Sequence, residues 1–354
     1  MDMTSSTTST NHRTAAAFEQ YVSARRSIVE GTVFFLEAGA HLDEVRRICT
    51  GSDIIFAPGA DIGSDGHEVG YTGSFQDAGD EMLLDGRHAF ELQDYLAAPF
   101  ISIVGLTVVQ QNSAAGLDAF LQDADTARAS GVFVEQLLSG AVLLDSRASF
   151  SGLDTGAELV RVHVTAAGEY RDGPDGVLLG VIGDLREELD AAAAASAGPG
   201  RAFERIVARS EFDDAVASRP WLGRYIAALD LLRQWDGAHA QPAISGFGGH
   251  LVGALDDRRR AAAATSPEAP FLVTGFDGDF VLVEPRTRRR FRLGADAARG
   301  AECLIATGDE ALAAEMLAED AGSSPASAGA AVSEIRARFA DAGVDLLSFS
   351  GAVA

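Results

Sequence analysis

Five arginines lie between Arg286 and Arg292 in a chain whose formal net charge is −24. The chain has no lysine, so its 28 basic residues are all arginine. A guanidinium stays charged at any ordinary pH and offers a planar fork of donors that matches a carboxylate. A basic cluster in an acidic chain is therefore suited to a carboxylate-bearing partner. The missing lysine also excludes chemistry. There is no Schiff-base amine, hence no lysine-anchored pyridoxal phosphate, and there is no Walker or kinase lysine.

The other reactive residue types form no recognisable constellation. His67-Glu68 begins like a zinc-protease motif, but Tyr71 stands where the second histidine belongs. The seven histidines never fall at paired metal-ligand spacing. No Gly-x-Ser-x-Gly elbow occurs. Ile244 to His250 is glycine-rich, but a dinucleotide fingerprint starting at Gly246 would need glycine at 251, where Leu251 stands. The run is expected to be a tight turn, with a backbone nest for an anion as the alternative. His163 alternates with apolar neighbours and is expected to be structural. Trp221, Tyr225 and Leu231 to Trp235 are expected to pack helices. Cys49 and Cys303 form no CxxC motif and are expected to be reduced. No catalytic residue, metal or cofactor follows from these motifs.

The arginine cluster sits on an element with a clear pattern. Phe271 to Phe276 is strand-like, Asp277-Gly278-Asp279 supplies a tight turn, and Phe280 to Glu284 is the return strand, stopped by Pro285. Thr287 and its arginine neighbours make a second turn. Arg290-Phe291-Arg292-Leu293 then alternates, placing Phe291 and Leu293 on one face and the two arginines on the other. Three short helices follow. The first carries Ala298, Ala301, Leu304 and Ile305, and Gly308 and Asp309 end it and cap the next. The second carries Leu312, Met316 and Leu317. The third carries Val332, Ile335 and Phe339 and closes at Gly343.

This order of a hairpin, a third strand, "RFRLGADAARGAECLIATGDEALAAEML" and "AVSEIRARFADAGVDLL" resembles the PqqD-like winged-helix module. That module is the recognition element of pathways for ribosomally made, post-translationally modified peptides (RiPPs). Two departures are visible: Leu293-Gly294 stands for the family's Leu-Asn, and Val344-Asp345-Leu346 interrupts its usual ending. The resemblance covers roughly the last quarter of the chain. It implies that a leader peptide adds as a strand along Arg290, Phe291, Arg292 and Leu293, against a helix face of Val332, Ile335, Arg336 and Phe339. Arg286, Arg288 and Arg289 would sit at the mouth and favour an acidic leader. An edge strand also carries charge simply to block aggregation, so that bland reading stands beside the functional one.

Composition bounds the rest. The hydrophobic fraction of 47% is ample for a core. The acidic balance argues against nucleic acid and against an anionic membrane. The apolar run Phe100 to Val109 is too short to span a bilayer. Residues 1–15 are Ser/Thr-rich and expected to be disordered, with no signal peptide. Residues 16–255 are expected to form a mixed α/β region, either as one domain or as two subdomains with a break near 150. Its expected strands are at 32–36, 54–56 and 101–109, with a hairpin of 159–164 and 177–182. Its expected helices are near 42–49, 89–97, 117–127, 184–196, 201–217 and 221–235. Residues 256–270 are expected to be a linker before the module at 271–347.

The expected class is thus α+β, and the expected function is a cytoplasmic, non-catalytic recognition protein of a RiPP cluster, most similar to the daptide type. By that resemblance its partners are a precursor leader peptide, an oxidative decarboxylase and an aminotransferase. Two rivals remain. One is a peptide-modifying enzyme whose active site lies unrecognised in the N-terminal region. The other is a protein that uses the strand edge to dock a folded partner.

Overall fold

The computed structural model describes residues 3–26, 28–59, 67–151, 157–235, 242–256, 266–275 and 278–347, with side chains from His12 onward. Its combination of helices with a large mixed sheet is α+β. Two compact units divide the chain: Met1–Phe120 with Glu135–Ser218, and Leu121–Val134 with Arg219–Ala354. The division thus falls earlier than the expected linker at 256–270.

In chain order the first unit contains α1 (Met3–Ser23), β1 (Val33–Leu36), α2 (Leu42–Ile48), β2 (Ile54–Pro58), β3 (Glu68–Gly73), β4 (Glu81–Leu84), β5 (His88–Asp94) and β6 (Leu106–Gln110). Helix α3 (Ala114–Ser130) passes into the second unit at Leu121. The first unit resumes with β7 (Val142–Leu144), β8 (Arg161–Val164), β9 (Glu169–Arg171), β10 (Leu178–Val181), α4 (Arg186–Ala195) and α5 (Arg209–Ala217).

The ten strands form one sheet in the order β10-β9-β8-β1-β2-β3-β4-β5-β6-β7. Strand β1 lies between β8 and β2, parallel to both. All four of its residues are buried, because both faces of the sheet are covered there. Val33 and Phe35 join Phe18, Tyr21 and Val22 of α1 in one core cluster. Phe34 and Leu36 join Val45 of α2 and Leu189 of α4 in another. Helix α1 covers most of the segment expected to be disordered. Its apolar second half, around Phe18 and Tyr21, gives it a face to bury despite the polar composition before it.

Three further expectations are corrected. Residues 88–94 are the strand β5 rather than a helix: Phe90 and Leu92 are buried while Ala89 is exposed, a period of two that the alanines at 97 and 98 obscured. The runs 159–164 and 177–182 are not hairpin partners, because β9 lies between β8 and β10 and pairs antiparallel with each. The span 201–217 is a short 3₁₀ turn at Pro199–Phe203 followed by α5.

An ion network lies inside this unit. Arg161 is fully buried and faces Asp145 at 3.2 Å and Asp172 at 3.4 Å, and Arg201 meets Asp172 at 2.6 Å. Arg161 also donates to the carbonyls of Tyr21 and Val22 and to the Ser146 hydroxyl, tying the end of α1 to the sheet. Burial still holds the Asp145 carboxyl above its usual range.

The second unit contains α6 (Leu222–Arg233), β11 (Ala243–Ile244), β12 (Phe271–Thr274), β13 (Phe280–Val283), β14 (Arg290–Leu293), α7 (Ala295–Thr307), α8 (Glu310–Ala321) and α9 (Pro325–Asp341). Strands β12, β13 and β14 form an antiparallel meander, and β11 adds a fourth strand beside β12. Phe276 of the expected first strand and Asp277 of the expected turn lie outside the described residues. Helix α7 ends where Gly308 takes a left-handed φ of 61°, and the Asp309 side chain accepts from the Leu312 N–H at the start of α8. Leu304, Met316, Val332 and Phe339 share one core with Leu282 of the sheet. Most of the expected linker lies outside the described residues, but its end is fastened. The buried Arg224 donates to the carbonyls of Ser266, Ala269 and Pro270 and lies over the Phe271 ring at 4.0 Å. Among the described residues no helix is long and apolar enough to cross a membrane.

Candidate functional site

Strand β14 is the outer strand of the four-stranded sheet. The Glu284 N–H donates to the Arg289 carbonyl at 3.0 Å, which sets the phase of the β13–β14 ladder. Bonded pairs then recur at Leu282–Phe291 and Phe280–Leu293. The backbone N–H and C=O groups of Arg290 and Arg292 consequently point away from β13. This is the geometry that accepts an added strand.

A groove of about 480 Å³ runs beside that edge. Phe291, Arg292 and Leu293 line one wall, the start of α7 at Gly294 to Ala297 closes one end, and Ile335, Arg338 and Phe339 of α9 line the other wall. Phe291 and Phe339 meet edge to face, with ring centroids 5.6 Å apart. Gly300 of α7 makes room for Ile335, whose Cδ1 would collide with a Cβ there. The charged lining is mixed, since Asp296 and Glu334 accompany Arg338, while strand alternation turns the Arg292 side chain to the other face.

Five of the ten residues expected from sequence, namely Phe291, Arg292, Leu293, Ile335 and Phe339, line this groove. The others have different positions. Val332 is fully buried and belongs to the helical core. Arg336 pairs with Glu310 of α8 at 2.5 Å, and the Ser333 hydroxyl with this guanidinium holds the Glu310 carboxyl below its usual range. Arg289 pairs with Glu284 at 2.9 Å and donates to the carbonyls of Ala342 and Gly343 beyond α9, so it fastens the strand to the helix instead of guarding a mouth. Arg288 occupies the turn with φ 59° and is exposed. Arg290 turns to the face opposite the groove, where it donates to the Gln234 carbonyl at 3.2 Å and lies 5.0 Å from the Trp235 ring.

The groove-facing stripe of α9 is therefore rotated from the expected one. Ala331, Glu334, Arg338 and Ala342 were missed, although their spacing is helical, because they are polar or small. Trp235 was assigned to helix packing, and nothing in the local sequence links it to Arg290.

A second polar cluster lies in the first unit. The Tyr21 hydroxyl is 2.7 Å from His163 Nδ1, and His163 Nε2 is 2.8 Å from Glu37. The bond to His163 and the Ala166 N–H hold the Glu37 carboxyl below its usual range against the opposing effect of burial. Tyr21 and His163 are buried and His163 is bonded at both ring nitrogens, which fits a structural link between α1 and the end of β1. Among the described residues no group of three or more His, Cys, Asp or Glu side chains is placed to hold a metal ion.

No family model, no curated protein and no solved structure matches this chain.

Proposed function

We propose that this protein is a non-catalytic recognition protein of a RiPP biosynthetic cluster. It binds the precursor's leader peptide as an added strand along β14 and presents the rest of the precursor to modifying enzymes. The observation that carries this reading is the outward-turned backbone of Arg290 and Arg292 beside a groove walled by Phe291, Ile335 and Phe339. The order of three antiparallel strands and three helices supports it, together with the sequence resemblance to the PqqD-like winged helix. By that resemblance the pathway is daptide-like, with an oxidative decarboxylase and an aminotransferase as partner enzymes, acting in the cytoplasm.

The test is to purify the protein from its native host and identify any co-purifying short peptide by mass spectrometry. A peptide encoded by a neighbouring short reading frame is expected. Recovery of the protein without that peptide, while the frame is expressed, would overturn the reading. Turnover of a leader-bearing peptide by the purified chain alone would instead favour an enzyme.

A further inference from the structure

Resting on the strand-addition reading, we infer that the guest segment carries an acidic–apolar–acidic run, its two carboxylates two residues apart. The inference comes from the alternation along β14. A segment paired to the free edge lies beside Arg290, Phe291 and Arg292. Whether it runs parallel or antiparallel, each of its side chains projects to the same face as the β14 residue beside it. The guest residue beside Phe291 enters the groove against Ile335 and Phe339, so it is apolar. Its two neighbours project to the opposite face, beside Arg290 and Arg292, which are both exposed.

Arg290 is prepared for a carboxylate. Its guanidinium lies over Trp235 and donates to the Gln234 carbonyl, which fixes its plane. A guanidinium carries five N–H donors, so this one bond leaves an edge to offer. Trp235 and Gln234 are thus positioning residues for the guest carboxylate beside Arg290. The charged side chains of the groove itself, Asp296 and Glu334 against Arg338, give no comparable preference for acid to the side chain that enters it. Selection for acid is confined to the outer face.

The test selects a display library of random short peptides on the immobilised full chain. Acidic–apolar–acidic runs are expected to be enriched at least about tenfold over runs that lack the acids. The Arg290→Glu/Arg292→Glu chain is expected to enrich basic–apolar–basic runs instead, a switch that a misfolded protein does not produce. Trp235→Ala is expected to relax the acidic preference beside Arg290 and to keep the one beside Arg292. Peptides enriched without alternating acids would overturn this inference while leaving strand addition intact. A wild-type chain that enriches no peptide would overturn both.

Discussion

Arginine does two opposite jobs in this chain, and each unit supplies an example of one. In the first, Arg161 is sealed in the interior with Asp145, Asp172, the Ser146 hydroxyl and two backbone carbonyls around it. In the second, Arg290 and Arg292 stand exposed on the outer strand of a small sheet. The buried guanidinium has every donor direction taken up by protein, so it can hold elements together but cannot meet a partner. The exposed pair contributes little to folding, because a solvated ion pair gives only about 0 to 1 kcal/mol. What the exposed pair keeps is availability. Buried arginines should therefore control stability in this protein, and edge arginines should control recognition.

The strongest way to break that comparison is Arg161→Met. It leaves Asp145 and Asp172 buried beside an apolar side chain, and the expected cost is about 3 to 5 kcal/mol in urea unfolding. Adding Asp145→Asn should recover part of the loss, since one stranded charge is then removed. A loss below about 1 kcal/mol would mean that water reaches the network and that it does not tie α1 to the sheet.

Asp175 sharpens the same contrast through pH. Burial and the nearby Asp145 push its carboxyl up to about 6, and Arg205 opposes the shift. The folded state therefore holds this proton more tightly than the unfolded chain. Its contribution to stability is present below the ordinary carboxylate pKa of about 4 and is lost as pH rises through about 6. Asp175→Asn should remove that slope, so the stability of the wild type relative to the variant should fall by roughly 2 to 3 kcal/mol between these limits. Equal slopes would show that the carboxyl is solvated.

The second unit was the more legible in sequence, for a physical reason. Its elements announce themselves locally. The alternation of Arg290 to Leu293, the left-handed Gly308, the Asp309 cap and the apolar spacing of α9 each act within a few residues. The large sheet is assembled from segments far apart in sequence, such as β1 between β2 and β8. Short strands such as β4 and β9 have too few residues to show a period, and β5 was hidden by alanines that favour helix in isolation. Within the site, the groove walls at Phe291, Ile335 and Phe339 were legible because apolar periodicity marks them. The engagement of Arg289 with Ala342 and of Arg290 with Trp235 was not, because both interactions are tertiary and leave no local signal.

Gly300→Ala separates stability from recognition inside the second unit. The new methyl group meets Cδ1 of Ile335, the far end of a flexible side chain on the groove wall. Alanine favours the helix by about 1 kcal/mol over glycine, while displacing Ile335 costs a similar amount. The net change in melting stability should therefore stay within about 1 kcal/mol. Ile335 lines the groove, so its displacement should weaken binding of the co-purifying peptide by about tenfold, as read by fluorescence polarisation. Unchanged binding would mean that the guest does not reach α9.

Arg290→Glu/Arg292→Glu is the mildest change for the fold and the most decisive for the comparison. Neither side chain is buried, and the double substitution removes one hydrogen bond to Gln234 and the stacking of Arg290 on Trp235. An exposed cation–π interaction gives about 0.5 to 1 kcal/mol, so the midpoint of urea unfolding should barely move. Binding of an acidic peptide should nevertheless fall by tens of fold, since two attractions become two repulsions on one face of the added strand. Raising the salt concentration should shrink the difference between the two proteins, because both effects act through exposed charge. A variant that unfolds more readily by several kcal/mol would place these arginines with Arg161 among the structural residues. A variant that binds as tightly as the wild type would move the peptide off β14 altogether.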